Sequence, residues 1–441
     1  MFTLVEKVRE ITAFAERRGQ SEPLERVSFI RTTVVKKFSI LPLVLASGER
    51  LPAVVETQTW LPVLVGNQWS TRYRRYRVQA STLTQDLRAI ARLYDWAWTI
   101  AGFDLDHLLL AGQTLIPAQV RSLAEHLRNG KTVAMAEEDA LPASAADSVP
   151  TVYFNNAYDR QLSVIEAFLI WALDRENRGG GPDLLLDRMA ALQVQLHRVF
   201  ASLRGGFVPS KRIEPLGESE VAQIRQVLAP LPGFPQQWDF PTKGFTRSAQ
   251  LRNWLMFETA LGLGLRRGEL LKLRVDSLVK GGKDGIRVLR RPDDPQDSRV
   301  REPAVKSAER LLPLSPLLLE AMTAYLSLRP PLGRVTGKTG YLFTTRTGAP
   351  VSLDAADSIA AAISRRSGIV FSWHSLRHTW AETLADQLLQ REDGIELLMY
   401  LGGWTNPKSP EHYIEHARQR QAGEWLKRYQ QDEGGSGHGS G

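Results

Sequence analysis

Residues 372–416 read SWHSLRHTWAETLADQLLQREDGIELLMYLGGWTNPKSPEHYIEH, and the rest of the chain is read outward from them. His374 and Arg377 stand three residues apart at the start of an amphipathic run, so a helix puts both side chains on one face. Leu401-Gly402-Gly403-Trp404 follows, and Tyr413 stands nine residues beyond Trp404. An imidazole and a guanidinium on one face, joined by an indole N–H and a phenol, suit a site that grips a phosphate and attacks it. That chemistry needs no serine, cysteine or carboxylate pair.

The order H-x-L-R-H, then L-G-H/W, then a Tyr nine residues on, resembles the tyrosine recombinase family, the phage-integrase type of site-specific DNA recombinases. Upstream, LGLRRGEL at 263–270 lies within Asn253–Leu273 and resembles the family's first box, G-L-R-x-G-E-L. The match aligns Arg266 with the first catalytic arginine and Glu269 with its acidic partner; Arg267 falls at the variable position. By itself, a Glu three residues from an Arg is ordinary helix surface. VKSAERLLPL at 305–314 resembles the run that carries the family's catalytic lysine on a β-hairpin, with Lys306 the best match and Lys283 the runner-up. Tyr341-Leu342-Phe343 and the turn Thr347-Gly348 resemble the strand and turn before the second box, and the resemblance implies a structural role for His378.

The resemblance implies a catalytic set of Arg266, Glu269, Lys306, His374, Arg377, Trp404 and Tyr413. Attack on a phosphodiester builds negative charge on the non-bridging oxygens, which preorganised cations stabilise. Arg266 and Arg377 would fork onto those oxygens, Tyr413 would attack, His374 would accept or relay its proton, and Lys306 would protonate the departing 5′ oxygen. No cofactor or metal is required. His374, His378 and Glu382 share one helical face, and His412 and His416 flank Tyr413, so a metal hydrolase is the alternative those spacings raise.

The chain has 441 residues, enough for two or three domains, and 43% are hydrophobic. A formal charge of +8 points towards a polyanionic partner. There is no cysteine, which excludes disulfides, thiolate metal sites and cysteine nucleophiles. The N-terminus carries charges through its apolar run and does not read as a secretory signal, and no apolar stretch reaches spanning length. A cytoplasmic, nucleoid-associated protein of bacterial or phage origin, with no membrane partner, is expected.

The fold class expected is mainly α with small β-sheets (α+β): a helical core-binding domain and a catalytic domain closing as a clamp around DNA. Residues 1–65 read as an N-terminal extension with a short helix over about 1–20 and two strand-like runs, Val27–Lys37 and Leu51–Val65. Residues 66–210 read as the core-binding domain. Its helices are one capped by Ser81 with a face of Leu83, Leu87, Ile90, Tyr94 and Trp98, then Pro117–Arg128, Asp159–Glu176 and Asp183–Leu203. Asn129–Pro150 reads as a loop, and Gly179–Pro182 as a break without the context of a phosphate loop. A linker lies around Gly205–Glu214, residues 211–433 form the catalytic domain with a helix at Glu218–Leu228 and a strand pair within Ile286–Arg291 and Ser298–Leu314, and 434–441 are a flexible appended tail.

WSTRYRRYR at 69–77 offers Arg72, Tyr73, Arg74, Arg75 and Arg77 as a DNA-backbone strip, against the alternative of a solvated basic loop. The implied partners are double-stranded DNA bearing recombination sites, accessory proteins in some systems, and further copies of the chain. In relatives a C-terminal segment docks on a neighbouring protomer to build a tetramer, and Gln419–Gln431 with Trp425 and Leu426 matches that position. The function expected is strand exchange through a 3′-phosphotyrosine and a Holliday junction, for a mobile element because the N-terminal extension exceeds a minimal resolvase. The rivals are a type IB topoisomerase and a DNA-binding protein without catalysis.

Overall fold

The computed structural model describes residues 36–138, 151–174, 186–205, 213–228, 247–281, 284–329 and 340–435. The short helix over about 1–20, most of the run Val27–Lys37, the end of the 129–150 loop, Gly179–Pro182, most of the linker, Lys283 and the last six residues lie outside them. The chain divides at Lys37/Phe38, and the described elements all lie in the unit that begins at Phe38. It is mostly helical with small antiparallel sheets, the α+β class expected.

Strands β1 (Phe38–Leu41) and β2 (Ala53–Glu56) pair antiparallel, with Ser39 opposite Val55. The sheet is therefore built from 38–41 and 53–56, and Leu51–Val65 is a strand only near its start. The chain then turns into α1 (Leu64–Trp69), where Asn67 fixes the corner: it donates to Val54 O at 2.9 Å and Val63 O at 2.6 Å and accepts from the Val54 N–H.

Residues 70–77 continue as a π turn and a 3₁₀ turn, not a loop. Next is α2 (Ala80–Trp96), whose N-cap is Gln79 and not Ser81. Leu83, Leu87, Ile90 and Tyr94 are buried along its i, i+4, i+7 face as expected, each fully buried aliphatic contributing about 1.5–3 kcal/mol. Trp98 departs from that face and is exposed. Residues Ala97–Ala101 form a π turn, whose extra residue rotates Trp98 outward, and Gly102 ends it at φ +74°.

Helix α3 (Leu105–Leu110) is capped by Asp104. Helix α4 (Pro117–Glu138) runs ten residues past the expected stop at Arg128, because Lys131, Ala134, Met135 and Ala136 are good helix formers and one Asn-Gly pair does not outweigh them. Helices α5 (Thr151–Leu173) and α6 (Leu186–Leu203) complete a first hydrophobic core. In α5, Leu162, Ile165, Phe168, Leu169 and Leu173 are all buried.

A second core gathers around α8 (Arg247–Leu263), which buries Leu251, Leu255, Met256, Phe257 and Ala260. Packed around it are α7 (Glu218–Leu228), α9 (Arg267–Lys272), α10 (Pro316–Leu328), α11 (Leu353–Ser367) and α12 (Trp373–Leu388). A three-stranded antiparallel sheet lies beside them in the order β3 (Leu278–Val279), β4 (Gly285–Val288), β5 (Arg310–Pro313). The strand pair is shorter than expected: 298–309 is irregular, with Glu302 paired to Lys272 and Arg299 to Asp297. A third cluster joins α12 to α13 (Gly394–Gly402) and α14 (Glu411–Gly435).

The β1–β2 hairpin also reaches across to the second core. Arg50 is 4% exposed and donates to the carbonyls of Gly48 (2.6 Å), Asp294 (3.0 Å), Asp297 (2.6 Å) and Arg299 (3.2 Å). Its backbone N–H bonds Asp293, which sits at φ +51° and also receives Arg75. Gly48, at φ +91°, is required there because a Cβ would meet the Asp293 carbonyl at 2.4 Å. Beneath, Asp297 takes two hydrogen bonds from the Arg299 guanidinium, one from its backbone N–H and an ion pair from Lys272, the last residue of α9. Burial raises the Asp297 carboxyl, but Arg299 and Lys272 outweigh it and hold it at about 2. Arg50→Ala should therefore unlock residues 42–52 and 290–302 together, leaving both cores closed. Hydrogen exchange in those two segments is expected to quicken by on the order of 10²-fold, as for a broken buried ion network.

Candidate active site

The turn that opens α9 sets the first guanidinium. Arg266 is the N-cap, and Glu269, at N3, reaches back to its backbone N–H at 3.1 Å while its other oxygen takes the Arg266 Nη1 at 3.0 Å. Its neighbour Arg267 points away to the exposed Asp357. Adjacent arginines thus part at the helix start, one inward and one to the surface.

Glu269 is 1% exposed and also pairs with Arg310 at 2.9 Å, a guanidinium whose side chain is fully buried. Burial raises the Glu269 carboxyl, but Arg310 and Arg377 and the Ser307 hydroxyl more than offset it, so it stays below the usual carboxylate range. Arg310 further bonds the Leu401 carbonyl at 2.8 Å and Ser307 Oγ at 3.1 Å. Sequence reading assigned this arginine no role; its signal was a cation inside a run otherwise destined for a strand.

A reciprocal capping pair starts α12: Ser372 Oγ accepts the Ser375 N–H and Ser375 Oγ accepts the Ser372 N–H. Trp373 is buried and anchors the first turn on the Ala356 carbonyl at 2.8 Å. Arg377 consequently points inward, 2% exposed, and donates to Gly264 O at 2.5 Å and Gly402 O at 2.7 Å. Gly264 sits at φ +60°, and a Cβ there would lie 2.2 Å from the Trp380 ring. Arg266 also approaches Gly402 O, at 3.4 Å. That carbonyl ends α13, where the helix dipole is negative and cations are favoured. Gly403 follows in the left-handed region at φ +63°, and the Trp404 N–H returns to Met399 O, turning the chain back.

Trp404 then covers Arg377, whose guanidinium carbon is 4.5 Å from the indole centroid. Tyr413 lies on α14 with its ring 5.8 Å from Trp404, and it is 4% exposed. Its hydroxyl is 2.9 Å from His378 Nδ1, and His378 Nε2 is 3.1 Å from His374 Nε2. His374, expected to accept or relay the tyrosine's proton, thus reaches Tyr413 only through His378, because i+4 spacing lays the two imidazoles end to end along one face. Burial pushes the Tyr413 phenol up to about 12, against the lowering effect of Arg377.

Lys306 is exposed and lies outside the strands, on the segment entering β5. The segment is fastened to the site, since the Ala308 N–H donates to Gly403 O at 3.1 Å and Arg290 bonds the Lys306 and Ser307 carbonyls. Arg266, Glu269, Arg377, Trp404 and Tyr413 are thus drawn together with His374 at the rim and Lys306 on the adjoining strap.

The strip at 69–77 does not share one role. Arg74 pairs with the buried Asp86 at 2.7 Å, and Arg75 pairs with Glu49 and Asp293. Arg72 and Arg77 are exposed, Arg77 stacking 3.8 Å above the Tyr73 ring. Among the described residues no three His, Cys, Asp or Glu are grouped to hold a metal, and no helix is long and apolar enough to cross a membrane. His416 and Arg420 instead bond Glu382.

Residues 238–420 match the model of the phage integrase family. No curated protein sequence matches the chain. Among solved structures, the Tn1549 transposon integrase in complex with circular intermediate DNA is 16% identical, with a TM-score of 0.48 over 83% of this chain and 100% of that one. The XerH site-specific recombinase bound to palindromic difH substrate is 14% identical, with a TM-score of 0.45 over 79% and 80%. A lambda integrase dimer bound to a COC′ core site is 12% identical, with a TM-score of 0.44 over 79% and 76%.

The Glu269 linkage carries a sign. Its folded pKa lies below its unfolded value, so its stabilisation is complete above the unfolded value and is lost as pH falls through the lower folded one. Glu269→Gln should cost about 3 kcal/mol at pH 7 by leaving Arg310 without its partner. Between pH 5 and 3 the urea midpoint of the wild type should fall more steeply than that of the variant.

Proposed function

We propose that the chain, whose residues 238–420 match the phage integrase family, is a site-specific DNA recombinase of the tyrosine type. The observation that carries the proposal is the convergence of Arg266 and Arg377 on the Gly402 carbonyl beside Tyr413. Each guanidinium has five N–H donors, more than its carbonyl and carboxylate bonds use, and the remainder suit the non-bridging oxygens of a phosphodiester. Glu269 aims Arg266, and the Trp404 indole N–H adds a further donor.

In this reading Tyr413 Oη forms a bond to phosphorus as the bond to the 5′ oxygen breaks, and Lys306 gives that oxygen a proton. The resulting 3′-phosphotyrosine keeps the energy of the broken bond for religation to a second duplex, through a Holliday junction. Residues 66–210 would form the core-binding lobe and 211–433 the catalytic lobe of a clamp on DNA. Of the basic strip, Arg72 and Arg77 would contact the backbone, with Tyr73 as the platform for Arg77, whereas Arg74 and Arg75 hold the lobe itself.

One observation favours recombination over the relaxing activity of a type IB topoisomerase. Helix α14 continues well past the nucleophile and presents Trp425, Leu426 and Tyr429 at 65, 49 and 46% exposure. A solvent-facing apolar stripe beyond the active site suits docking on a neighbouring protomer, as a tetramer across two DNA sites requires. Integration or excision of a mobile element in the cytoplasm is the assignment we favour.

The test begins by footprinting the protein on DNA flanking its gene, then offers it a nicked duplex of the protected site in EDTA. A denaturant-stable adduct is expected, formed by the wild type and lost in Tyr413→Phe. Protection without an adduct on nicked DNA, with partner proteins supplied, would contradict the assignment and favour a binding protein without catalysis.

A further inference from the structure

Tyr413 is 4% exposed, so the proton its hydroxyl loses on attack needs a route to solvent. The atoms beside it provide one. His378 Nδ1 is 2.9 Å from Tyr413 Oη, His378 Nε2 is 3.1 Å from His374 Nε2, and His374 is exposed. The two imidazoles meet at right angles, 81°, with centroids 4.4 Å apart.

We propose that His378 is the catalytic base of Tyr413 and that His378 and His374 together form a two-imidazole proton relay from the buried nucleophile to solvent. This rests on the recombinase assignment and deepens it. The tautomers follow from the contacts. With Tyr413 donating, Nδ1 of His378 presents its lone pair and Nε2 carries the ring proton. That proton points at His374 Nε2, which must accept, so His374 holds its own on Nδ1. During attack the Tyr413 proton passes to His378 Nδ1, the His378 Nε2 proton to His374 Nε2, and the His374 Nδ1 proton to water. Each imidazole ends neutral with its tautomer exchanged, and religation returns a proton to Tyr413 by the reverse path.

The surroundings keep His378 ready to accept. Its own helix contributes His374, Arg377 and Glu382, and α14 contributes His412, Tyr413 and His416. Burial, then His374, His412 and Arg377, lower the His378 imidazole to about 4, with Glu382 opposing. Desolvation and the charges of Arg377 and Arg266 also lower His374. A neutral pair at physiological pH can take a proton, whereas two imidazolium rings this close would repel.

Two measurements test the relay. In the DNA-free protein, nitrogen-15 spectra of the histidine side chains should show His378 as the neutral Nε2–H tautomer and His374 as Nδ1–H, with His378 unprotonated at pH 6. The Nδ1–H form of His378, or its protonation near pH 6.5, would overturn the proposal. On the nicked duplex, His378→Asn keeps an acceptor near Tyr413 but cannot carry the proton. Adduct formation should slow by about 10²- to 10³-fold with DNA affinity unchanged, and its rate should rise with pH as solvent hydroxide takes over. His378→Gly should regain rate with added imidazole, which a packing role would not produce. An adduct formed by His378→Asn at the wild-type rate and pH profile contradicts the relay alone; absence of any adduct with the wild type contradicts the recombinase assignment and the relay with it.

Discussion

Three guanidinium groups, Arg266, Arg310 and Arg377, crowd behind one tyrosine, and their mutual repulsion is the constraint the site is built around. The buried Glu269 answers two of them. The Gly402 carbonyl, at the negative end of α13, answers Arg377 and draws Arg266 with it. Arg310 is wholly enclosed and bonds Leu401, so it acts as the counterweight that fixes Glu269 and leaves Arg266 and Arg377 facing Tyr413. Positive charge assembled before substrate arrives is what a phosphoryl transition state rewards, since no reorganisation is then needed. That assembly in turn requires tight turns: the positive φ angles of Gly264 and Gly403 accompany a chain path that puts the Gly264 and Gly402 carbonyls where Arg377 reaches them.

The elements that gather the cations also bury Tyr413. Tyr413 sits among Trp404, His412 and His378, and its phenol holds its proton more firmly than in solution. A phosphate entering between Arg266 and Arg377 would bring negative charge to the cations and leave the phenol's proton beside His378. The cations come from α9 and α12 and converge on the end of α13, whereas the imidazoles beside the tyrosine hydroxyl come from α12 and α14. Farther off, Arg50 joins the N-terminal hairpin to the loop that braces Lys272 at the end of α9, so the helix that begins with Arg266 is held at both ends.

Much of the site was legible in the sequence because its residues are tied to short local motifs. A serine pair starts α12, a Gly-Gly turn ends α13, and N3 of α9 is a glutamate; each fixes a candidate side chain within a few residues. The fold class was legible for the same reason, through the buried face of α2 and α5. What escaped depends on distance along the chain. Arg50 meets residues about 245 positions away, and Arg310 meets Glu269 41 positions away, and no local pattern marks either. Trp98 was misplaced because a π turn shifts helical phase by one residue, and the strands were drawn too long over a segment whose Glu302 and Arg299 pair with Lys272 and Asp297. His378 was visible at i+4 from His374, but only the packing of α14 against α12 shows that its ring meets the tyrosine hydroxyl.

The most direct measurement is the chemical identity of the covalent bond. The adduct on nicked DNA would be digested with nuclease and protease, and the nucleotide-bearing peptide sequenced by mass spectrometry. A single 3′-nucleotide ester on the phenol of Tyr413 is the predicted result. A nucleotide carried by another residue, or joined through its 5′ end, would contradict the assignment.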